Sequence, residues 1–365
     1  MLGLVGGTHS IDVDFGLQFS HLPPMEALVL DSALDWISSV RASDALVAFV
    51  LGLVVTLAVT PIVVLYLCRA DLFDSENERS SHSGRIPRGG GLAIVIAAAA
   101  AVVYSLVAAS DSNGLAASAG CALVFALLGF VDDHHSLSAP IRLACQIALA
   151  AAFVALFQPL AVDAPAPLVC AGEILWIVGF VNVFNFMDGI NGISSMTSAI
   201  VGGTIAVASL AWGSGGAALL AAAITGASIG FLPSNFPNAK VFLGDVGSYG
   251  IGAALAVTAL MSADGGPDHG SPPGLRPLRG RCRLDPVRSG PSPSALLSAH
   301  RDHVYQRLAN GGWGHERTTL TVGALTALLS VVGLAIGQRS LLAQLVGVVI
   351  GLAVVVTYLV LPARA

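Results

Sequence analysis

Long apolar runs recur along the chain, each ended by a short polar or glycine-rich stretch. A run of about 17 to 25 apolar residues is long enough to cross the hydrocarbon of a bilayer as a helix. Runs of this kind fall at 45–68, 91–109, 114–131, 139–158, 168–186, 193–212, 215–232, 245–262, 318–337 and 340–361. The pattern predicts an all-α, polytopic integral membrane bundle with about ten legible transmembrane helices. Residues 1–43 acquire acids early and have no basic leader, so they read as a tail outside the core and do not resemble a cleaved signal peptide. Met25 is an alternative start. Residues 44–365 form the membrane domain.

Polar residues gather where the runs end. Asp132 and Asp133 stand in GFVDDHHSL, Asp188 in NVFNFMDGING and Asp245 in VFLGDVGS. A charge near hydrocarbon costs roughly 2.5 to 3.5 kcal/mol, so several kept there imply a use, and a divalent metal is the commonest. If the loop after the first span is cytoplasmic, the inside loops hold Arg69, Arg79, Arg85, Arg88, Arg142 and Lys240, while the outside loops up to residue 262 hold only Arg41. The positive-inside rule therefore sets the amino terminus outside. The loops after the first, third, fifth and seventh spans all emerge on the cytoplasmic face. They carry SSHSGRIPRGGG, DDHHSL, NFMDGING and PNAKVFLGDVGS, which predicts one site assembled from four loops.

Composition agrees with a membrane protein: 55% of residues are hydrophobic, 11% are charged and the mean hydropathy is +0.80. A net charge of −5 spread over 365 residues gives no nucleic-acid partner. The five cysteines lack CxxC spacing, and Cys68, Cys121, Cys145 and Cys170 lie in or beside apolar runs, so they read as small packing residues.

PRGGGLAI, GFVDDHHSL, NVFNFMDGINGI, FLGDVGS and HRDHVYQRL, in this order, resemble the polyprenyl-phosphate N-acetylhexosamine-1-phosphate transferases. The resemblance runs from about Pro61 to Arg317, and the form HRDHVYQRL is similar to the nucleotide-sugar branch of that family. It implies transfer of a HexNAc-1-phosphate, GlcNAc-1-phosphate first, from a UDP-N-acetylhexosamine to polyprenyl (undecaprenyl) phosphate with release of UMP, starting a lipid-linked cell-envelope glycan. It also implies Mg2+ as cofactor, with Mn2+ as a substitute, a site on the cytoplasmic face of the inner (plasma) membrane, and eleven spans. An oligomer is left open.

Joining a membrane phosphate to a sugar phosphate crowds negative charge, so such catalysis is mostly neutralisation and alignment. Asp245, beside the flexible Gly244 and Gly247, suits a metal that prefers oxygen ligands, and the resemblance points to it as the metal ligand in a wet loop. Asp132 and Asp133 are adjacent, so on a helix they point about 100° apart and divide their duties: one orients metal or nucleotide, the other deprotonates the lipid phosphate. Asn185 and Asp188 share a helix face and offer amide donors and a catalytic carboxylate, with Asn182 a turn earlier as a further substrate group or a helix-packing residue. Many family members carry an acid where this chain has Asn191. His300, Arg301 and His303 suit phosphate binding, with a zinc pair as the rival. His82, Arg85 and Arg88 before Gly89–Gly91 make a basic, glycine-rich loop that opens a helix and suits an anion, or else a plain positive-inside anchor.

One stretch departs from the family. Residues 264–297 are rich in Pro, Gly and Arg where a further span is expected, and Arg276, Arg279, Arg281, Arg283 and Arg288 would cost roughly 15 kcal/mol in hydrocarbon at about 3 kcal/mol each. This non-spanning segment is a genuine insertion, a re-entrant segment or, the favoured reading, the product of two compensating frame shifts. Without a ninth span HRDHVYQRL lands opposite the other four loops. A secondary transporter and an inactive family member are the rival readings; transporters place polar groups near the midplane, whereas here they cluster at one face.

Overall fold

Charges, prolines and glycines stop the apolar runs close to where the sequence places them. The structure, a computed structural model, describes residues 40–74, 85–108, 114–157, 160, 164–263, 304–336 and 340–360. Its long helices are α1 (Val40–Arg69), α2 (Gly91–Ala108), α3 (Leu115–His135), α4 (Ala139–Phe157), α5 (Ala166–Met187), α6 (Ile193–Ala211), α7 (Gly215–Asn235) and α8 (Gly244–Ala263). A short α9 (Val304–Leu308) and a π-type turn, Ala309–Trp313, lead into α10 (Gly314–Ile336) and α11 (Leu341–Val360). Ten of these helices are long and apolar enough to cross a membrane, as the run pattern predicted.

Two boundaries differ from the run pattern, and the second bears on the site. Helix α1 begins at Val40, inside the stretch read as tail. Helix α3 continues to His135, so Asp132 and Asp133 sit on its last turn and not in a loop.

Helices α7 and α8 form the centre of the bundle and are buried on nearly every side. Their small residues make this possible: with few large side chains, α1 and α6 pack closely on α7, and α3 and α5 on α8. In hydrocarbon such contacts come from close packing, because lipid is as apolar as leucine. Outer helices turn large apolar residues outward, for example Leu168, Leu175 and Val183 on α5, where acyl chains cover them.

Successive spans alternate in direction, so the carboxyl ends of α1, α3, α5 and α7 meet the amino ends of α2, α4, α6 and α8 at one end of the bundle. The segment 264–297, and with it His300, Arg301 and His303, lies outside the described residues. The expectation that the chain after it lands on the opposite face is overturned by its first described residues. Tyr305 Oη donates to Phe186 O at the end of α5, and Thr319 Oγ1 donates to Asn191 O at 2.8 Å. Because α8 leads away from that end for 20 residues, about 30 Å at 1.5 Å per residue, Ala263 and Val304 stand at opposite ends of the bundle.

Candidate active site

The segment before α2 lies alongside the segment before α8. Arg88 and Phe242 form a parallel bridge, Phe242 N–H donates to Pro87 O (2.8 Å), and Gly90 and Gly91 donate to Phe242 O and Leu243 O (2.8 Å each). Gly89 also donates to Phe242 O, at 3.2 Å. The Gly89–Gly91 N–H groups are engaged by carbonyls, so within this basic loop it is a side chain such as Arg88 that is left to meet an anion. Small size serves close approach here, since a Cβ on Gly91 would overlap Gly247 Cα. The pairing leaves the Arg88 side chain at the start of α8.

Asp245 lies in the first turn of α8 and is buried, not placed in a wet loop. Its Oδ2 accepts Arg88 Nη2 at 2.8 Å and its Oδ1 accepts Asn185 Nδ2 at 2.8 Å. Asp133 reaches the same turn from α3. Its two carboxylate oxygens accept the backbone N–H groups of Asp245 and Val246, both at 2.9 Å, and Oδ1 also pairs with Arg88 Nε at 3.1 Å. A carboxylate from another helix thus caps α8, where the open N–H groups and the helix dipole favour negative charge. Gly129, one turn earlier on α3, permits this reach, because a Cβ there would overlap Asp245 O.

Asp132 points elsewhere, as the rotation between adjacent helical residues requires. Oδ1 accepts Leu137 N–H (2.8 Å), and Oδ2 accepts Tyr249 Oη (2.9 Å) and Arg142 Nη1 (3.3 Å). Asp132 is buried, and these donors tie the end of α3 to the start of α4 and to α8.

Asn185 also donates to Ser248 Oγ at 2.9 Å, so its amide bridges two residues of α8. Asp188 ends α5, its N–H bonded to Asn185 O at 3.1 Å. Burial pushes its carboxyl up to about 7, opposed by the Ser194 hydroxyl and by Arg88 and helped by the charges of Asp245 and Asp133. Asn182 is not brought to this cluster: its Nδ2 donates to Gln146 Oε1 and to Val178 O, between α5 and α4. Asn191 ties three segments together, donating Nδ2 to Pro237 O (2.9 Å) and N–H to His315 Nδ1 (3.3 Å) and accepting from Thr319. Asn235, buried at the end of α7, accepts Gly192 N–H at 3.0 Å and donates to Val241 O at 3.0 Å.

Arg88, Asp133, Asn185 and Asp245 therefore meet through direct contacts, and Asp188 feels their charges. Sequence reasoning passed over Tyr249, Ser248 and Asn235, and counted Arg142 only among the positive-inside residues. Tyr249 carried a signal, since it lies four residues after Asp245, one helical turn on. Among the described residues no group of three or more His, Cys, Asp or Glu side chains stands ready to hold a metal ion. The arrangement is a partial oxygen donor set with one guanidinium, at one end of the bundle.

A model described as glycosyl transferase family 4 matches residues 115–263. The chain is 32% identical over 230 residues to a probable undecaprenyl-phosphate N-acetylglucosaminyl 1-phosphate transferase of Bacillus subtilis, covering 60% of this chain and 64% of that protein. It thus spans just under two thirds of that relative's length. It is 30% identical over 244 residues to a phospho-N-acetylmuramoyl-pentapeptide-transferase of Bacillus licheniformis, covering 60% of this chain and 75% of the relative. A decaprenyl-phosphate N-acetylglucosaminephosphotransferase of Mycolicibacterium smegmatis is 28% identical over 337 residues, or 79% of this chain and 81% of its own length.

Proposed function

The chain belongs to glycosyl transferase family 4, and we propose that it transfers an N-acetylhexosamine 1-phosphate, GlcNAc 1-phosphate first, from a UDP-sugar to a polyprenyl phosphate such as undecaprenyl phosphate, releasing UMP. The observation that carries this reading is the meeting of Arg88, Asp133, Asn185 and Asp245, from four separate chain segments, at one end of a membrane bundle. A lipid phosphate at the bilayer surface and a water-soluble nucleotide sugar both reach that end. The names of the relatives support the same chemistry. The arginines of the loops at this end favour the cytoplasmic face of the plasma membrane.

In the reaction a lipid phosphate oxygen attacks the sugar-bearing phosphorus, and the bond to the UMP oxygen breaks. Asp188, at the end of α5 among the charges of Asp245, Asp133 and Arg88, is the candidate base for the lipid phosphate. Asp132 is committed to Leu137, Tyr249 and Arg142, so its part is to hold α3 in place. Asn185 fixes the Asp245 carboxylate, and Arg88 supplies fork-shaped donors for phosphate.

The donors present fit Mg2+, which usually takes one or two carboxylates with phosphates and water and needs no protein cage. Asp245 is the residue that would hold it. Bound there, Mg2+ would neutralise phosphate oxygens during the displacement. The test is label transfer from radiolabelled UDP-GlcNAc to undecaprenyl phosphate by the purified protein. Mg2+-dependent label in the lipid phase is expected; its absence with every UDP-HexNAc tried would sink the proposal.

A further inference from the structure

Asp133 and Asp245 face one another across the start of α8 with side chains only 4% and 11% exposed, an arrangement in which two negative charges repel strongly. One residue bridges both and offsets one of the two charges. Arg88 places Nε on Asp133 Oδ1 and Nη2 on Asp245 Oδ2, and its own side chain is 40% exposed. The anchoring of the partners is unequal. Backbone N–H groups fix Asp133 and the Asn185 amide fixes Asp245, whereas the guanidinium is the most exposed member of the three.

A hard cation on Asp245 approaches its oxygen to about 2.0 to 2.1 Å. On Oδ2 it would meet a guanidinium whose nitrogen is 2.8 Å from the same oxygen, a like charge at close range. The two cations cannot both be favourable there. We propose that Arg88 is a tethered counter-ion: its guanidinium bridges Asp133 and Asp245 and holds down their repulsion until a divalent cation takes Asp245, and it is then released toward the anionic phosphates of the substrates. This rests on the transferase reading only for what Arg88 meets after release. Arriving charge and released charge would then be coupled, so that the ion and the nucleotide sugar each favour the other's binding.

The test uses the full chain in detergent with Mn2+ alone as probe, free Mn2+ being read by electron paramagnetic resonance. Arg88→Gln is expected to bind Mn2+ at least about fivefold more tightly than the unaltered protein, the low end of ordinary coupling between sites. In EDTA this variant should also melt earlier, and Mn2+ should return most of the loss. Arg88→Lys, which keeps the charge but not the fork, should tighten Mn2+ binding by a smaller factor and serves if the glutamine variant does not fold. Equal or weaker Mn2+ affinity in the variants overturns the inference. Graded Mn2+ affinity without lipid product would preserve it and remove the transferase reading; transfer with unchanged Mn2+ affinity in Arg88→Gln would do the reverse.

Discussion

Asp132 and Asp133 share a peptide bond yet belong to different structures: one accepts from Tyr249, Arg142 and Leu137, the other from the first turn of α8 and Arg88. Asp132→Asn should therefore melt earlier, by an amount matching about 1 to 3 kcal/mol for disturbed bonds to a buried carboxylate. Tyr249→Phe should reproduce part of that loss in a thermal scan; full stability in both variants would remove the clamp. Asp245→Asn is expected to lose turnover by at least about a hundredfold in the label-transfer assay, as removal of a preorganised charge does. Its folding should also suffer, because Arg88 and Asn185 lose their shared acceptor. Asp188 gives a pH prediction. Burial raises its carboxyl from the ordinary 3.8 to about 7, so its contribution to stability is present below about 4 and is lost as pH rises through 7. In EDTA the melting temperature should fall between pH 5 and pH 7.5, and Asp188→Asn should flatten that fall; an equal slope in both would exclude Asp188. The pair of aspartates and their divergence were readable in the sequence, since adjacent helical residues point apart. Which one faces Asp245 was not, because the deciding N–H groups lie more than a hundred residues away.

Helix α8 needs its neighbours close. Gly129 on α3 and Gly91 on α2 lie against Asp245 and Gly247, and the Asp133 cap reaches α8 only at that separation. Gly129→Leu is expected to push α3 from α8, abolish transfer and lower the melting temperature by several degrees, as overpacking by about 1 to 3 kcal/mol would. Normal melting and turnover would show that Asp133 does not depend on this crossing. The ten spans could be read from hydrophobic run length, because a bilayer demands about 20 apolar residues whatever the neighbours are. The glycines could not be read so directly. Gly89–Gly91 carry the pattern of an anion-binding helix start, but a run of glycines also suits two backbones in contact, and the carbonyls of Phe242 and Leu243 decide for the second. Asn182 illustrates the same ambiguity: with Asn185 it shares a helix end, yet one turn of depth puts it against Gln146.

Counting spans misjudged the carboxyl-terminal third of the molecule, because the count assumed that residues 264–297 leave the chain on the side to which α8 delivers it. Contacts fix the position of α9 and α10 independently of that count. Tyr305 bonds to Phe186 O, Asn191 N–H bonds to His315, and Thr319 bonds to Asn191 O, so α9 and the start of α10 lie against the α5–α6 loop that carries Asp188. If that loop is cytoplasmic, Arg307 must be cytoplasmic too. Single cysteines at Ser136, Asn238 and Arg307, on a background lacking the five native cysteines, should all resist an impermeant thiol reagent in intact cells and all react after permeabilisation. Ser136 and Asn238 report the α3–α4 and α7–α8 loops, and the exposed Arg307 reports α9. Reaction at position 307 alone in intact cells would separate α9 from the site and leave Tyr305 without its partner on α5. Reaction at all three would instead invert the whole molecule, keeping the site intact but placing it on the face away from the positive-inside arginines.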